Sequence, residues 1–399
     1  MSAPVFVAGL GVVSAIGNDA NACLKALHAE QPGMGEISLL RTLQKGKLPV
    51  AEVKLYNPAL AELTGLSPRS PRTALLSALA AREALKDAGV ESLKDIRAGF
   101  ISANTVGGMD KTEDFFEYFM KDPGSGRLRD VVYHECGAIT EIVADLLGIK
   151  HFISTISTAC SSSANAIFTG ARMIQHGLLD IVLAGGADAL TRFTLNGFNT
   201  LMILDKAFCK PFDENRQGLN LGEGAGYLLL VSERMMKQLN KTPYCRISGY
   251  SNANDAYHQT ASSPEGTGSF LAMKNALALS GLRPGDIDYI NLHGTGTTNN
   301  DIAEGTAIKL LFDPVYPKMS STKSFTGHTL GASGAIEAVF SALAIRHGII
   351  YPNLRFETPM KELPFTPETK FLADQRVRNV LSNSFGFGGN CSSLIFSAA

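Results

Sequence analysis

The chain changes from strand to helix at Ser157-Thr158-Ala159-Cys160-Ser161-Ser162-Ser163-Ala164-Asn165. Upstream, residues 152–157 are rich in β-branched side chains, which favours a strand. Downstream, apolar side chains recur at helical spacing over 164–174, and Gly177 suits a C-cap. The thiol of Cys160 is therefore predicted at a helix N-terminus, where the helix dipole and free backbone N–H groups favour the thiolate and lower the thiol pKa. The alternative is a small, buried structural cysteine.

Two histidines lie on glycine-rich segments in the C-terminal part of the chain. His293 follows an apolar strand at 287–290, and a helix that includes Glu304 comes next. His328 precedes apolar residues at helical spacing that continue to Gly348. A single histidine is more often structural than catalytic. One cysteine and two histidines, each at the end of a strand, nevertheless predict a catalytic site.

Four segments resemble the signature segments of the β-ketoacyl-[acyl carrier protein] synthases, in the order found in that family. They are TACSSSANA at 158–166, HGTGT at 293–297, KSFTGH at 323–328 followed by GASGAIEA, and NSFGFGG at 383–389. The similarity covers essentially the whole chain, and the two histidines place it with the elongating, type I/II group of the thiolase superfamily. The resemblance implies decarboxylative Claisen condensation of an acyl thioester with malonyl-[acyl carrier protein] to give 3-oxoacyl-[acyl carrier protein]. Such a step elongates chains in fatty-acid biosynthesis or a related polyene or polyketide pathway.

Strands and helices alternate along the chain, and its two halves resemble each other. The helix that carries Cys160 ends at Gln175-His176-Gly177 before an apolar strand, and the helix after His328 ends at Arg346-His347-Gly348 before a predicted strand at 349–351. This pattern predicts an α/β fold with an N-terminal half at 1–243 and a C-terminal half at 244–399. The resemblance implies the thiolase fold, with two mixed five-stranded sheets in an αβαβα sandwich. It also implies that residues 101–150 are an insertion that forms part of the dimer contact and the pocket wall.

The resemblance further implies a role for each site residue. Cys160 is the acylated nucleophile, and the backbone N–H groups of Cys160 and Phe387 form an oxyanion hole. His293 and His328 donate hydrogen bonds to the thioester oxygen during decarboxylation, which requires no cofactor and no metal. Lys323 and Glu337 are implied as a buried charge pair that orients the histidine, and Thr295 and Thr297 as hydrogen-bond partners of the phosphopantetheine arm. Val106 and Phe198 are implied as walls of the acyl pocket, with Phe387 as its gate. Phe385 and Gly388 are implied in substrate binding, and Thr260 lies in a second gating loop at 255–268.

Composition and charge exclude several other classes. The chain has 399 residues, with 36 basic and 37 acidic side chains, so it has no global positive field for nucleic acid. No apolar stretch reaches 18 residues and no signal peptide precedes Val5, so we expect a cytoplasmic protein. Six scattered cysteines without a CxxC pair argue against a structural zinc site and a disulfide framework.

Two departures from the family pattern concern the gate and the partner. Asn390-Cys391 stands where the family usually has Thr-Asn, and Met202 stands where the type II enzymes often have a basic residue. The implied partner, acyl carrier protein, is acidic, so the loss of a cation should weaken or reorient docking. The remaining candidate docking charges are Arg69, Arg72, Arg127, Arg129 and Lys206.

Two other functions remain as alternatives. A thiolase would need a second catalytic cysteine near the C-terminus, for which Cys391 is the candidate. A non-catalytic chain-length factor would lack the nucleophile, whereas this chain has Cys160. The resemblance implies a homodimer, with a heterodimer as the other arrangement. Acyl chain length and the choice between primary and specialised pathways stay open.

Overall fold

The structure is a computed structural model that describes residues 3–93 and 96–399. These residues form one mixed sheet with helices on both faces. The strands are β1 (Val5–Ser14), β2 (Ala98–Ala103), β3 (Phe152–Ile156), β4 (Ile181–Asp188), β5 (Gly224–Ser232), β6 (Cys245–Asn254), β7 (Tyr289–Asn291), β8 (Lys318–Ser320), β9 (Asn379–Gly386) and β10 (Asn390–Ser397). The α-helices are α1 (Ala20–His28), α2 (Asn57–Thr64), α3 (Arg72–Asp87), α4 (Met109–Phe119), α5 (Cys136–Leu147), α6 (Ser162–Gln175), α7 (Arg192–Thr200), α8 (Glu233–Leu239), α9 (Thr267–Ser280), α10 (Thr298–Phe312), α11 (Lys323–Thr326) and α12 (Ser333–His347).

The strand order shows that the two halves share one topology. The described strands follow the order β3-β2-β4-β5-β1-β6-β10-β9-β7-β8. Outward from the centre, the first half has the order β1, β5, β4, β2, β3 and the second half has the order β6, β10, β9, β7, β8. In both halves this is the first, fifth, fourth, second and third strand along the chain. The halves are joined by a short antiparallel pairing of Val5–Val7 in β1 with Cys245–Ile247 in β6. The α/β fold with two similar halves is confirmed, and the two five-stranded sets form one continuous sheet.

Helices α6 and α12 form the central layer of the sandwich. They pack against each other, and they also contact β4 and β5 of the first half and β9 and β10 of the second. Helix α12 is buried almost along its whole length, which explains why its sequence is apolar on every side. Helix α3 covers the outer face of β1 and β5, and α9 covers the outer face of β6 and β10. The five layers place the start of α6 beside the start of α12.

Two sequence predictions differ from the structure. Residues 349–351 form no strand, since Ile350 makes only an isolated bridge with Leu372, and the chain instead reaches the sheet again at β9. The region 101–150 is not a single insertion, because residues 101–103 belong to β2 and α5 packs on β2 and β3. The excursion from the core consists of α4 and a 3-10 turn at Leu128–Tyr133.

We predict that Gly226→Ala lowers the free energy of unfolding by about 1–3 kcal/mol, the usual cost of overpacking a core. Gly226 lies on β5, and a Cβ there would sit 2.7 Å from the backbone carbon of Ala335 and the backbone nitrogen of Ile336 in α12. Gly285→Ala is the matched control, because its Cβ would meet no atom within 4 Å. Denaturant titration of the three proteins measures the difference. Equal stability of the two variants would contradict the close approach of strand and helix.

Candidate active site

Cys160 lies in a tight turn between β3 and α6. The residue before it, Ala159, has a left-handed backbone with φ of 53°. The turn is closed by Ser162, whose Oγ accepts from the N–H of Thr158 at 2.7 Å and donates to the carbonyl of Ala159 at 2.6 Å. Helix α6 has Ser161 as its N-cap, so Cys160 precedes the cap rather than lying in the first turn of the helix. The turn points the thiol toward the C-terminal half.

His328 reaches the thiol from the segment between α11 and α12. Its Nε2 lies 3.1 Å from Sγ of Cys160. Its Nδ1 accepts the backbone N–H of Leu330 at 3.2 Å and also lies 2.9 Å from Oγ of Ser333. A neutral imidazole that accepts at Nδ1 carries its proton on Nε2. His328 therefore presents an N–H donor to the sulfur.

His293 lies beside His328, with ring centroids 5.5 Å apart. Its backbone N–H donates to Oε1 of Glu304 at 2.9 Å, which fixes the loop after β7. Its Nδ1 lies 3.4 Å from the ammonium nitrogen of Lys323. An ammonium can only donate, so Nδ1 accepts and Nε2 carries the proton of the neutral ring. Both histidines are thus held as Nε2–H donors.

Lys323 and Glu337 form a buried ion pair behind the histidines, as the resemblance implies. Burial raises the pKa of Glu337 to about 7, although the ammonium of Lys323 opposes the shift. Burial, followed by the charge of Lys323, lowers the pKa of His293 and of His328 well below 6.5. The imidazoles are therefore neutral at physiological pH, and Lys323 supplies the positive charge beside them.

The same three side chains have the composition of a metal site. The ligand atoms of Cys160, His293 and His328 lie within 4.8 Å of one another, which no other group of three His, Cys, Asp or Glu residues matches in the described chain. A metal on an imidazole nitrogen needs the lone pair of that nitrogen. Here Nε2 of each ring carries the proton, because Nδ1 is occupied by Leu330 N–H or by Lys323. The hydrogen bonds favour two donors over two metal ligands.

The lowered thiol pKa expected for Cys160 is wrong for the resting site. Burial raises the pKa of Cys160 to about 11, against the opposing effects of Lys323 and of the backbone N–H groups of Phe387 and Cys160. The side chain is only 6% exposed. The free energy needed to remove a thiolate from water exceeds the stabilisation that the end of a helix gives it, so the resting nucleophile is a thiol. These two backbone N–H groups act on the thiol and so lie near the sulfur, as the oxyanion hole implied by the resemblance requires.

A cavity of about 230 Å³ opens at these three side chains. In its lining the ring of Phe387 stacks on the ring of Phe198, with centroids 5.8 Å apart. The predicted site residues in its lining are Cys160, Phe198, Thr260, His293, Thr295, Thr297, His328, Phe385 and Phe387.

Four predicted site residues do not line this cavity. Val106 is buried in an apolar cluster against which Phe198 packs, so it lies behind the stacked rings. Gly388 joins the two predicted gating loops, since its N–H donates to the carbonyl of Gln259 at 2.7 Å. Lys323 and Glu337 lie behind the imidazoles.

Three buried carboxylates that hold the catalytic loops were not found from the sequence. Glu304 accepts from His293 and Gly294, and Asp301 accepts from the backbone N–H groups of Thr295 and Gly296. Their spacing of three residues at the start of α10 is the signal that could have found them. Asp188 is the third and accepts from the N–H groups of Thr105, Val106 and Gly331.

One candidate docking charge is wrong. Arg72 is paired with Glu223 at 2.7 Å, and only 12% of its side chain is exposed. Its guanidinium also donates to the carbonyls of Val53 and Leu55, so it is a structural residue. Arg69, Arg127, Arg129 and Lys206 are exposed, and Met202 is 87% exposed at the rim of the cavity. Among the described helices, none is long and apolar enough to cross a membrane.

Comparisons with known proteins agree with this geometry. The family model described as "Beta-ketoacyl synthase, N-terminal domain" matches residues 2–235, and the model of the C-terminal domain matches residues 244–357. A curated relative, 3-oxoacyl-[acyl-carrier-protein] synthase 2 of Coxiella burnetii (strain RSA 493 / Nine Mile phase I), is 35% identical over 98% of each chain. The ishigamide ketosynthase/chain length factor is a similar solved structure, with a TM-score of 0.95, 29% identity and full coverage of both chains. A type II polyketide ketosynthase in complex with its acyl-carrier protein has a TM-score of 0.90 and 26% identity, again with full coverage of both chains.

We predict that alkylation of Cys160 by iodoacetamide keeps accelerating from about pH 7 to 9.5, whereas an ordinary thiol levels off above its pKa of about 8.5. A raised pKa keeps the thiol protonated through this range, so each unit of pH adds about tenfold more reactive thiolate. Peptide mapping by mass spectrometry isolates the rate at Cys160, and free glutathione in the same reaction gives the comparison with an ordinary thiol. A plateau at Cys160 below about pH 8.5 would contradict the buried neutral thiol.

Proposed function

We propose that Cys160 is the nucleophile, and His293 and His328 the hydrogen-bond donors, of the condensation that β-ketoacyl synthases carry out. The chain belongs to the β-ketoacyl synthase family. It is a 3-oxoacyl-[acyl-carrier-protein] synthase, which elongates an acyl chain bound to acyl carrier protein. The observation that carries the proposal is the contact of 3.1 Å between Nε2 of His328 and Sγ of Cys160, in a cavity that His293 also lines.

In the first half-reaction the sulfur of Cys160 attacks the acyl thioester of the carrier. The C–S bond to the carrier breaks, the new C–S bond to Cys160 forms, and the thiol proton passes to the departing carrier thiolate. The tetrahedral intermediate places negative charge on the thioester oxygen. The backbone N–H groups of Cys160 and Phe387, which lie beside the nucleophile, then donate to that oxygen and stabilise its charge.

In the second half-reaction malonyl carrier loses CO2. The electrons of the broken C–C bond form an enolate, whose charge accumulates on the thioester oxygen. His293 and His328 donate their Nε2–H groups to that oxygen, since their Nδ1 atoms are already occupied. The enolate carbon then attacks the acyl group on Cys160, the C–S bond to Cys160 breaks, and the departing thiolate takes a proton from solvent. The product is a 3-oxoacyl carrier thioester that is two carbons longer.

The residues that line the cavity support a proposal for the two ends of the substrate. Thr295 and Thr297 line it with their hydroxyls 2.9 Å apart and would hydrogen-bond the phosphopantetheine arm. Thr260, in the second gating loop, also lines it. The acyl chain extends past the stacked rings of Phe198 and Phe387 toward Val106. Movement of Phe387 would open this route.

The partner is acyl carrier protein, and the assembly is a homodimer or a heterodimer with a related subunit. Strand β3 is a sheet edge that pairs with β2 alone among the described strands, and its Ile153 is exposed. Exposed apolar side chains on the neighbouring excursion support a dimer contact there; they are Phe116, Tyr118, Met120, Leu128 and Val132. We further propose domains at 1–243 and 244–399, a cytoplasmic location, and a role in fatty-acid synthesis or a related polyene or polyketide pathway.

Two alternative functions fit the site less well. A thiolase needs a second catalytic cysteine, but Cys391 is buried against Ser269 and does not line the cavity. A chain-length factor would need no nucleophile. Here Cys160 is present and meets His328 and two backbone donors.

Separate measurement of the two half-reactions tests these roles, because the cysteine variant and the histidine variants should each lose a different one. We predict that Cys160→Ala forms no acyl-enzyme but still decarboxylates malonyl carrier. We predict that His293→Ala and His328→Ala each lower decarboxylation by about 10²- to 10³-fold, the usual cost of losing one oxyanion donor. Intact-protein mass spectrometry measures acylation, and release of CO2 measures decarboxylation. Acylation of the Cys160→Ala variant, or normal decarboxylation by both histidine variants, would overturn the assignment.

We predict that Val106→Phe reduces acylation by long chains far more than acylation by acetyl or butyryl carriers. Extra volume forced against a bound chain costs about 1–3 kcal/mol, or roughly 5- to 150-fold in rate. Acylation rates with carriers of graded chain length measure the effect, and the short chains report on the fold of the variant. An equal loss at every length would show that Val106 only packs the core.

A further inference from the structure

Asn390 stands where the loop between β9 and β10 returns to the sheet. Its Oδ1 accepts three hydrogen bonds: from Oγ of Ser161 at 2.6 Å, from Nδ2 of Asn165 at 3.0 Å and from Nδ2 of Asn252 at 2.7 Å. Ser161 follows the nucleophile directly, and Asn165 lies in the first turn of α6. One side chain therefore ties the end of this loop to the turn that carries Cys160.

The loop that begins at Phe387 and ends before Asn390 turns at its glycines. Gly388 and Gly389 have φ values of 77° and 75°, which few other residues tolerate. The N–H of Gly388 donates to the carbonyl of Gln259 in the second gating loop, and the carbonyl of Gly388 accepts from Nδ2 of Asn254 at 3.1 Å. The carbonyl of Gly389 accepts from the N–H of Asp255 at 2.8 Å. These backbone contacts would have to change when the ring of Phe387 moves.

The two ends of the loop are held in different ways. Gly386 lies directly against the nucleophile turn, since a Cβ there would sit 3.1 Å from the backbone nitrogen of Cys160. It has no side chain with which to fix that contact. At the other end the link is the side chain of Asn390. Because Asn390 also pairs with Gly386 across the ladder of β9 and β10, its three hydrogen bonds link both ends of the loop to the turn that carries Cys160.

We propose that Asn390 is a positioning residue that returns the backbone N–H of Phe387 to the thiol of Cys160 each time the β9–β10 loop closes. The inference rests on the proposed roles of Cys160 and Phe387. It predicts an effect on one half-reaction only. Acyl transfer uses the Phe387 donor, whereas decarboxylation uses His293 and His328, which Asn390 does not contact.

The experiment compares both half-reactions in variants of the full-length enzyme. Asn390→Leu keeps the size but removes the acceptor, and Asn390→Asp keeps an acceptor oxygen while adding a charge that opposes the thiolate. Asn379→Leu is the matched control, because it removes a hydrogen bond to the carbonyl of Asp286 at the far end of β9. Single-turnover acylation at saturating acyl carrier and decarboxylation of malonyl carrier are measured for each.

We expect Asn390→Leu to slow acylation of Cys160 at least about tenfold at saturation, since a displaced donor costs less than the 10²- to 10³-fold of a deleted one. Decarboxylation should stay within about twofold of wild type. Asn390→Asp should recover acylation to within about fivefold, and Asn379→Leu should change neither rate by more than about twofold.

An equal fall in both half-reactions, or no fall in acylation, would overturn the inference. If Asn390→Leu does not fold, Asn252→Ala takes its place, because it removes one of the three donors and must show the same selective loss. Peptide mapping of the wild-type acyl-enzyme distinguishes a failure of the proposed function from a failure of the inference about Asn390. An acyl group found elsewhere than Cys160 refutes the proposed function, whereas normal acylation of Cys160 in the variants refutes only the role of Asn390.

Discussion

Buried carboxylates that accept backbone N–H groups hold the catalytic loops in place. Asp188 joins the loop after β2 to the turn after His328 through the N–H groups of Val106 and Gly331, and Glu304 holds the loop of His293. Burial raises the pKa of Asp188 to about 6 and that of Glu304 to about 7, while the donated N–H groups oppose the shift. A buried carboxylate is tolerated only when its hydrogen bonds are satisfied. Moving these loops would leave a buried carboxylate without its hydrogen bonds, which is unfavourable in free energy. The distances between the thiol and the imidazoles follow from this constraint.

The repeated topology explains how residues so far apart in the chain meet. The turn before α6 carries Cys160, and the segment before α12 carries His328. Both segments contain a residue forced into a left-handed backbone, Ala159 and Leu330, each with φ of 53°. The two helices approach closely, because a Cβ on Gly334 would lie 3.0 Å from the backbone nitrogen of Ala164. Equivalent positions of the two halves thus supply the nucleophile and its hydrogen-bond donor. The contact of 3.1 Å between Nε2 of His328 and Sγ of Cys160 results from the packing of α6 against α12.

The sequence motifs were sufficient to predict the fold class and to bring Cys160, His293 and His328 into one cavity. The predictions that were wrong concern features that depend on burial or on contacts between residues far apart in the chain. The pKa of Cys160 was expected to fall, but local sequence does not reveal how completely the packed halves desolvate the thiol. Arg72 was expected at the surface, yet its partner Glu223 lies 151 positions away in the chain. The predicted strand at 349–351 failed because the repeat of helix followed by strand is interrupted there before β9.

The neutral state of both imidazoles bears on why the site decarboxylates. Malonyl carrier enters with a carboxylate, and the enolate that replaces it carries the same charge on a different atom. A cationic imidazolium would attract the carboxylate of the ground state as well as the enolate, and equal stabilisation of both leaves the barrier unchanged. A neutral Nε2–H donor attracts mainly an oxygen at its own position, so it favours the charge that develops on the thioester oxygen. Burial and the charge of Lys323 keep His293 neutral, and the same causes act on His328. Burial and Lys323 thus maintain the protonation state in which both histidines discriminate between the two charge distributions.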